Sequence, residues 1–214
     1  RKDAAVDRLL VKAGRVTGVR VKGEDIAARV GVLLASGGFS ASEQLRKAYI
    51  PYAEEHVSIL PYENTGDGMN MGLEAGASLD GDNLVNAVWA VVSKMTRSDG
   101  YVARYAHLID MSKPGCIAVD AKGERFGNEA SVHFVEAMHK SGTVPAHIIG
   151  DAAFIKKYGM GMVYPGGGGL KKLIAAGYVI EAPSLRELAA KIGVDTDGLM
   201  ATVAKMNRYA ETGK

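Results

Sequence analysis

Two short stretches combine glycines with polar residues in a pattern suited to holding a ligand against the backbone. The first, Ser36-Gly37-Gly38, ends the apolar run from Val30 to Ala35. A buried strand that ends in small residues lets its backbone approach a ligand more closely than side chains would permit. A Gly-Gly pair after a strand is also typical of an ordinary turn, so both interpretations stay open here.

The second stretch, Thr65-Gly66-Asp67-Gly68, places an acid between two glycines where a helix is expected to begin. Backbone N–H groups and the positive end of the helix dipole face outward at such a position, and the carboxylate of Asp67 can accept hydrogen bonds. This arrangement suits a cofactor that carries both acceptors and donors. The competing interpretation is that Asp67 caps its own helix.

A third stretch, residues 115–129, reads as a strand, a tight turn and a second extended segment. Turn chemistry accounts for residues 120–123. It does not account for the polar residues gathered next to Phe126 and the histidine that follows them, which are Arg125, Asn128, Glu129 and His133. A histidine can serve as an acid or a base near neutral pH because its unperturbed pKa is about 6.5.

The three stretches, in this order and at these separations, resemble the flavoprotein family of fumarate reductases, succinate dehydrogenase flavoprotein subunits and 3-ketosteroid dehydrogenases. The resemblance is carried by Ala-Ser-Gly-Gly-Phe, by Thr-Gly-Asp-Gly with Met-Gly-Leu-Glu-Ala-Gly-Ala, and by residues 113–129. Residues 149–207 are similar to the capping domain of the ketosteroid-dehydrogenase-like branch. The resemblance therefore covers nearly the whole chain.

The resemblance implies a cofactor, a reaction and a set of binding residues. In that family the first two motifs contact FAD, and the positions that match them here are Ser36, Gly37, Gly38, Thr65, Gly66, Asp67 and Gly68. The implied reaction is hydride transfer between FAD and a carbon–carbon bond adjacent to a carbonyl, in a 3-ketosteroid-like or fumarate-like small molecule. Ser36 stands where the family usually has threonine, and it keeps the hydroxyl.

The position implied for proton transfer departs from the family pattern. Fumarate reductases have an arginine four residues after the glutamate of the Asn-Glu pair, and ketosteroid dehydrogenases have a tyrosine in roughly that place. This chain has His133, which argues against a true fumarate reductase and makes His133 the candidate catalytic acid or base. Alternatively, His133 is a surface or packing residue, and Tyr101, Tyr105 or His107 is the next candidate.

The loop that binds the ADP half of FAD in this family does not occur in the sequence. That loop, Gly-x-Gly-x-x-Gly, lets a pyrophosphate lie on a helix N-terminus. We therefore expect an internal fragment that holds FAD poorly by itself, with the missing N- and C-terminal parts of the same polypeptide as its partners. The alternative is a non-catalytic lid or ligand-binding module without bound flavin.

The elements that must position these residues follow from apolar periodicity and turn residues. Alternation between residues 4 and 35 predicts a β-meander, and the run Val30–Ala35 predicts a strand buried on both faces. The predicted helices are 42–49, one that starts at Thr65-Gly66 and carries Met69, Leu73 and Ala77, 130–140, 151–158, Ser184–Ile192, and a last helix capped by Asp195 or Thr196. In the last helix Leu199, Val203 and Met206 form an apolar stripe typical of core.

The expected fold class is α/β plus α+β. Residues 1–80 are interpreted as a partial FAD-binding domain, a remnant of a Rossmann-like fold that holds the meander and the buried strand. Residues 81–214 are interpreted as an α+β substrate-capping domain.

Composition excludes several other classes. A net charge of +2, with Lys and Arg dispersed among Asp and Glu, predicts neither a nucleic-acid surface nor an anionic-membrane surface. The single cysteine, Cys116, excludes an internal disulfide, and no histidine has metal-ligand spacing, so no metal is expected. No apolar run approaches the roughly 20 residues that span a bilayer, and a cytoplasmic protein is expected.

Overall fold

The computed structural model describes residues 2–81, 83 and 86–213. The chain divides into two compact units, Arg1–Val88 and Trp89–Lys214. Three residues that follow the predicted domain boundary at residue 80, namely Asp82, Leu84 and Val85, lie outside the described residues. The assignment of a flavin-binding part and a capping part to the two sides of that boundary stays a prediction.

An antiparallel β-meander opens the first unit, as the alternating pattern predicts. Its strands pair in sequence order and are β1 (Arg8–Lys12), β2 (Arg15–Val21) and β3 (Glu24–Ala27). Two-residue turns join the strands at Ala13-Gly14 and Lys22-Gly23, and all four residues have positive φ. Positive φ at both turn positions is the geometry that follows the natural twist of a hairpin, so these turns fix the register of the meander.

The segment Val30–Ala35 is not the buried strand that its composition predicts. It contains no strand, and the side chains of Val30 and Leu33 are 91% and 89% exposed. A strand that is buried on both faces needs paired neighbours and covering layers, whereas in the part of the chain that the structure describes β1, β2 and β3 pair with one another and with no further strand. An apolar composition indicates that a segment could be buried, but not whether neighbouring strands are present to bury it. The prediction of a buried strand is wrong for this reason.

Two short helices complete the first unit. The helix α1 (Glu43–Tyr49) begins after Ser42, whose hydroxyl accepts a hydrogen bond from the third helical N–H. The helix α2 (Asp67–Glu74) follows Gly66 and ends before Ala77, which the apolar spacing had placed within it. Both helices are therefore confirmed, and the second is shorter than predicted.

Two small antiparallel sheets form the second unit's strands. They consist of β4 (Val92–Thr96) with β5 (Val102–Ala106), and of β6 (Cys116–Val119) with β7 (His147–Gly150). Successive side chains of a strand point to opposite faces. Accordingly Ile117 and Val119 join one buried cluster, while Ala118 joins another. The strand β6 thus separates two parts of the core.

The described part of the second unit also contains the helices α3 (Phe134–Lys140), α4 (Ala152–Tyr158), α5 (Leu170–Ala175), α6 (Leu185–Ile192) and α7 (Thr196–Thr212). Ser184 caps α6 as predicted, because its Oγ accepts from Glu187 N at 3.2 Å, but Glu187 Oε1 accepts from the Ser184 hydroxyl at 3.0 Å rather than from the backbone N–H that a full capping box uses. Asp195 caps α7 through Gly198 N at 2.7 Å. The helix α5 was not predicted, and α3 begins four residues later than expected.

The apolar stripe of α7 packs as predicted. Leu199 is fully buried in a cluster with Ile117 and Val119, and Val203 and Met206 pack against the same cluster. Residues 2–81, 83 and 86–213 contain no helix with the length and apolar character required to cross a bilayer.

We predict that Gly123→Ala destabilises the second unit by about 2–4 kcal/mol. Gly123 has φ +73° and lies on the turn after β6, where an added Cβ would overlap the backbone nitrogen of Leu199. Gly142→Ala is the matched control, since Gly142 also has positive φ (+67°) but no atom lies within 4 Å of its Cβ position. The control should cost about 1 kcal/mol from backbone strain alone. Urea denaturation measures both, and equal losses would contradict a steric role for the turn.

Candidate functional site

The structure brings the two glycine motifs of the first unit together. The N–H of Gly66 donates to the carbonyl oxygen of Gly38 at 3.0 Å, and the N–H of Ala41 donates to the carbonyl of Asn64 at 2.9 Å. An added Cβ at Gly68 would lie 2.5 Å from the hydroxyl of Ser36. Residues that are about thirty positions apart in the sequence therefore form one continuous backbone surface.

Within this surface the glycines and the polar residues have different exposures. Gly66 and Gly68 are buried, whereas Thr65 and Asp67 are exposed. The hydroxyl of Thr65 donates to Asp67 Oδ1 at 2.7 Å. The glycines thus provide close packing, and the polar side chains between them are directed to the outside.

Asp67 does not cap its helix. The residue at the cap position of α2 is Gly66, in a left-handed conformation with φ +88°, and it makes no side-chain cap bond. Asp67 is instead the first helical residue, and a carboxylate there interacts favourably with the positive end of the helix dipole. With capping excluded, the carboxylate of Asp67 keeps acceptor capacity beyond the one bond from Thr65.

Open space lies beside the first motif. Gly38 is exposed, and no atom lies within 4 Å of the position that a Cβ would take there. Gly37 contrasts with it, since a Cβ at Gly37 would overlap the amide oxygen of Asn64. The backbone at Gly38 is therefore open to close approach, and the exposed Thr65 and Asp67 lie on the motif that bonds to it.

His133 belongs to the second unit and lies at the start of α3. Its side chain is 75% exposed, and Nδ1 is 3.4 Å from Glu136 Oε2. It occupies the N-cap position but its side chain makes no cap bond. This exposure argues against a packing role, agrees with the interpretation of His133 as a surface residue, and leaves the imidazole accessible, so its catalytic role stays a prediction.

The polar residues around Phe126 are explained by structure. Glu129, whose side chain is 6% exposed, accepts the N–H of Ala118 at 2.8 Å and pairs with the guanidinium of Arg125. The pKa of Arg125 is raised by this hydrogen bond. Asn128 Oδ1 accepts the N–H of Ala130 at 3.0 Å. These side chains anchor the segment to β6 and orient the start of α3.

A buried polar network in the second unit was not predicted from the sequence. His107 and Asp110 are 8% and 7% exposed, and His107 Nδ1 lies 2.8 Å from Asp110 Oδ2. The other ring nitrogen, Nε2, is 2.8 Å from Ser93 Oγ, which is 2.5 Å from the hydroxyl of Tyr178. We call these four residues the His107 network. Only the His-x-x-Asp spacing could have indicated it.

Backbone groups complete the His107 network. Asp110 accepts the N–H of Gly161 at 2.8 Å and that of Met111 at 3.1 Å. Tyr178 accepts the N–H of Met162 at 3.2 Å. Burial would raise the pKa of Asp110, but the hydrogen bonds from His107 and Gly161 outweigh it and hold that pKa below its usual value. Asp110 is therefore a carboxylate at neutral pH.

The buried charge of Asp110 contributes to the raised pKa values of two neighbouring groups, Tyr105 and Cys116. Burial, with added repulsion from Asp110 and Tyr178, raises the pKa of Tyr105, whose ring is 5.2 Å from that of His107. Burial, with repulsion from Glu129 and Asp110, raises the pKa of Cys116 to about 12. The Cys116 thiol is consequently protonated and a poor nucleophile at neutral pH.

A cavity of about 1300 Å³ in the second unit is lined partly by the His107 network. Ser93, His107 and Tyr178 reach its wall. Apolar side chains supply much of the rest, among them Ile155, Met160, Val179 and Leu188. Charged side chains line it as well, among them Lys156, Lys171 and Glu181, so the walls of the cavity are both apolar and polar.

Comparison with known proteins gives a consistent result. A family model described as FAD binding domain matches residues 1–214. The chain is 38% identical to the 4-oxocyclohex-2-ene-1-carboxylate 5-dehydrogenase of Sinomonas cyclohexanicum, over 94% of this chain and 36% of that protein. It is 31% identical to the 3-oxosteroid 1-dehydrogenase of Mycolicibacterium smegmatis, over 99% of this chain and 40% of that protein.

A solved structure has a similar fold. The crystal structure of 3-ketosteroid delta1-dehydrogenase from Sterolibacterium denitrificans, in complex with 1,4-androstadiene-3,17-dione, matches with a TM-score of 0.76 and 30% identity. The match covers 99% of this chain and 40% of that one. The mixed α/β architecture with small sheets is therefore shared, and the chain spans about two fifths of the length of these relatives.

We predict that Asp110→Asn lowers the free energy of unfolding by about 1–3 kcal/mol at pH 6, because hydrogen bonds to a buried charge are lost. Since the folded pKa of Asp110 is depressed, its contribution is complete above the unfolded pKa of about 3.9 and is lost as the pH falls through the folded value. The difference between wild type and variant should therefore shrink below about pH 4.

The matched control is Asp99→Asn, because Asp99 is 55% exposed and its ion pair with Arg97 is solvated. Guanidinium denaturation of the three proteins at pH 6 and at pH 3.5 gives the comparison. A loss for Asp110→Asn no larger than that of the control would mean that the buried carboxylate does not stabilise the fold.

Proposed function

The chain belongs to the FAD binding domain family over its whole length, as the motifs indicate, and we propose that it is the central part of a flavin-dependent dehydrogenase acting on a carbon–carbon bond next to a carbonyl. The relatives support this reaction class, since their names give a ring ketone as substrate and a ring carbon as the position dehydrogenated. The observation that carries the proposal is the meeting of the two glycine motifs in one open, polar-edged surface.

We propose that this surface holds part of FAD in the complete protein. The residues that would contact the cofactor are Ser36, Gly37, Gly38, Thr65, Gly66, Asp67 and Gly68. The open space at Gly38 supports close approach of the backbone to a planar ring, and the exposed Thr65 and Asp67 support hydrogen bonds to its polar edge. When bound, the flavin supplies the hydride chemistry.

We propose that side chains of this chain position and transfer the proton that accompanies the hydride. His133 is the proposed proton-transfer residue, and its high exposure and fixed position at the start of α3 support that role. The ion pair of Arg125 with Glu129 would keep the start of α3 in place while the imidazole exchanges a proton. Holding a catalytic group in a defined position is a large part of an enzyme's contribution to rate.

The domain assignment and the setting are also proposals. We propose that residues 1–80 are the remnant of the Rossmann-like flavin domain and that residues 81–214 form the substrate-capping domain. The expected partners are a small-molecule substrate and the other parts of the same polypeptide, as the 36–40% coverage of the relatives supports. A cytoplasmic location is proposed because the lone thiol of Cys116 suits a reducing compartment.

We predict that Asp67→Ala in the complete protein weakens FAD binding about tenfold, because one hydrogen bond to the cofactor is lost. Titration of apo-protein with FAD, followed by quenching of flavin fluorescence, measures the dissociation constant without any need for turnover. Glu74→Ala, at the other end of α2 and also exposed, is the control and should bind as the wild type does. An unchanged affinity for Asp67→Ala would remove Asp67 from the site, and a complete protein that binds no FAD would favour the non-catalytic lid module.

We predict that His133→Gln lowers kcat by about 10²–10⁴-fold with little change in FAD content, because glutamine cannot transfer a proton. A limb of the pH–rate profile in the histidine range, about pH 5.5–7.5, should disappear in the variant. His139→Gln, in the last turn of the same helix, is the control and should keep the limb. Wild-type kcat and profile in His133→Gln would move the search to Tyr101, Tyr105 or His107.

A further inference from the structure

We propose that Ser93, His107 and Asp110 form a catalytic triad that hydrolyses an ester in the cavity of the second unit. Ser93 Oγ is 2.8 Å from His107 Nε2, and His107 Nδ1 is 2.8 Å from Asp110 Oδ2. A hydroxyl within hydrogen-bond reach of a base that a carboxylate orients is the geometric signature of such a triad, whatever the order of its residues in the sequence. The inference uses residues other than His133 and does not rest on the proposed flavin chemistry.

Asp110 is the positioning residue of the triad. It is buried, and it accepts the N–H of Gly161 and the N–H of Met111 in addition to its bond with His107. These bonds fix the carboxylate so that it accepts the Nδ1–H of the imidazole, which leaves Nε2 as an acceptor for the serine proton. The same carboxylate stabilises the imidazolium that forms when His107 takes that proton.

The side chain of Ser93 is on the cavity side of its strand. Successive side chains of a strand alternate, so Ser93 and Met95 share one face of β4, and Met95 packs in the same cluster as Ile155 and Leu170. Both of those residues line the cavity, as do Ser93 and His107. Ser93 is also partly exposed, and a serine that attacks a substrate requires such access.

Tyr178 supplies a hydrogen-bond donor next to the nucleophile. Its hydroxyl is 2.5 Å from Ser93 Oγ and accepts the N–H of Met162 at 3.2 Å. Since the Ser93 proton is directed to His107, the Tyr178 proton is directed to Ser93 Oγ. When Ser93 Oγ bonds to an ester carbon, negative charge develops on the carbonyl oxygen of that carbon, and the Tyr178 proton is within reach to stabilise it.

Gly161 keeps these groups close together. It has positive φ (+57°), and an added Cβ would overlap the Tyr178 hydroxyl and lie 3.2 Å from Cε1 of His107. Its N–H is one of the two backbone donors to Asp110. The loop after α4 therefore contacts the carboxylate, the base and the phenol at a single residue.

The reaction conserves atoms and involves no oxidation or reduction. Ser93 Oγ attacks the carbonyl carbon of the ester, and its proton passes to His107 Nε2. The bond from that carbon to the leaving alcohol breaks, and the alcohol oxygen takes the proton. A water molecule then attacks the acyl group on Ser93, and its proton passes through His107 back to Ser93 Oγ. The products are a carboxylic acid and an alcohol.

The cavity favours an ester that is uncharged and partly apolar. Its walls combine aliphatic side chains with charged groups of both signs. The charged residues that line it are Asp151, Lys156, Lys171, Glu181 and Lys191, and His147 lines it as well. Because cations and anions occur together, the lining does not select a strongly charged ligand, whereas its apolar part suits a short acyl chain or an aromatic alcohol.

Labelling of the complete protein with a fluorophosphonate tests the triad, because this reagent bonds to a serine whose hydroxyl is activated by a base. We expect about one phosphonyl group per chain, located on Ser93 by peptide mass spectrometry, and labelling that is about a hundredfold slower in His107→Gln. Ser112→Ala is the matched control, since Ser112 is an exposed serine of the same unit whose hydroxyl donates to the carbonyl of Ile109. The labelling needs neither flavin nor dehydrogenase turnover, so failure of the dehydrogenase proposal leaves it readable.

Hydrolysis of p-nitrophenyl butyrate measures the complete reaction through release of p-nitrophenolate. Ser93→Ala and His107→Gln should lower kcat about 10²–10⁴-fold. Asp110→Asn should lower kcat by a similar factor with KM nearly unchanged, because the imidazole then takes the wrong tautomer. A purely structural role of Asp110 would instead lower the stability of the protein and leave kcat of the folded fraction unchanged.

Three outcomes would overturn the proposal. They are a wild-type protein that neither reacts with the fluorophosphonate nor hydrolyses the ester, a label on a residue other than Ser93, and labelling of Ser93 that keeps its wild-type rate in His107→Gln. The first two need no variant, so they decide the question even if the variants do not fold.

Discussion

The carboxylate of Asp110 is the buried charge that the polar interior of the second unit depends on. A charge removed from water must be compensated by hydrogen bonds from several directions, and here they come from a side chain, a glycine loop and the next residue in the chain. Meeting that requirement brings the end of β5 and the loop after α4 to one point. The orientation of His107, and with it the hydroxyls of Ser93 and Tyr178, follows from this arrangement.

The first unit depends on glycine for the close approach of two backbone segments. Its two motifs must approach each other so closely that side chains would not fit at Gly66 and Gly68, and the polar groups between them are turned outward as a result. The backbone therefore forms the floor of the surface and Thr65 and Asp67 form its edge. A ligand recognised there would be positioned mainly by peptide groups, which are more rigid than side chains.

Local features of the fold could be predicted from the sequence, because neighbouring residues determine them. Ser184 and Asp195 begin their helices through bonds within one turn, and the alternating residues of the meander pair across two-residue turns. The exposure of Val30–Ala35 could not be predicted, because burial of an apolar segment depends on strands outside that segment. The hydrogen bonds of the His107 network could not be predicted for a similar reason, since Ser93 and Tyr178 are 85 residues apart in the sequence. The two glycine motifs and His133 stood out by residue type, but the proposed flavin contact and the proposed proton transfer came from resemblance to a family.

Cys116 gives the second unit an internal reporter of local opening. It is the one thiol among these 214 residues, it lies on β6 in register with Gly150, and a pKa of about 12 keeps it unreactive while the sheet is closed. When β6 and β7 separate, the thiol returns to water and to an ordinary pKa near 8.5. The rate at which a thiol reagent modifies Cys116 therefore reports how often this sheet opens, as hydrogen exchange reports the opening of a backbone amide.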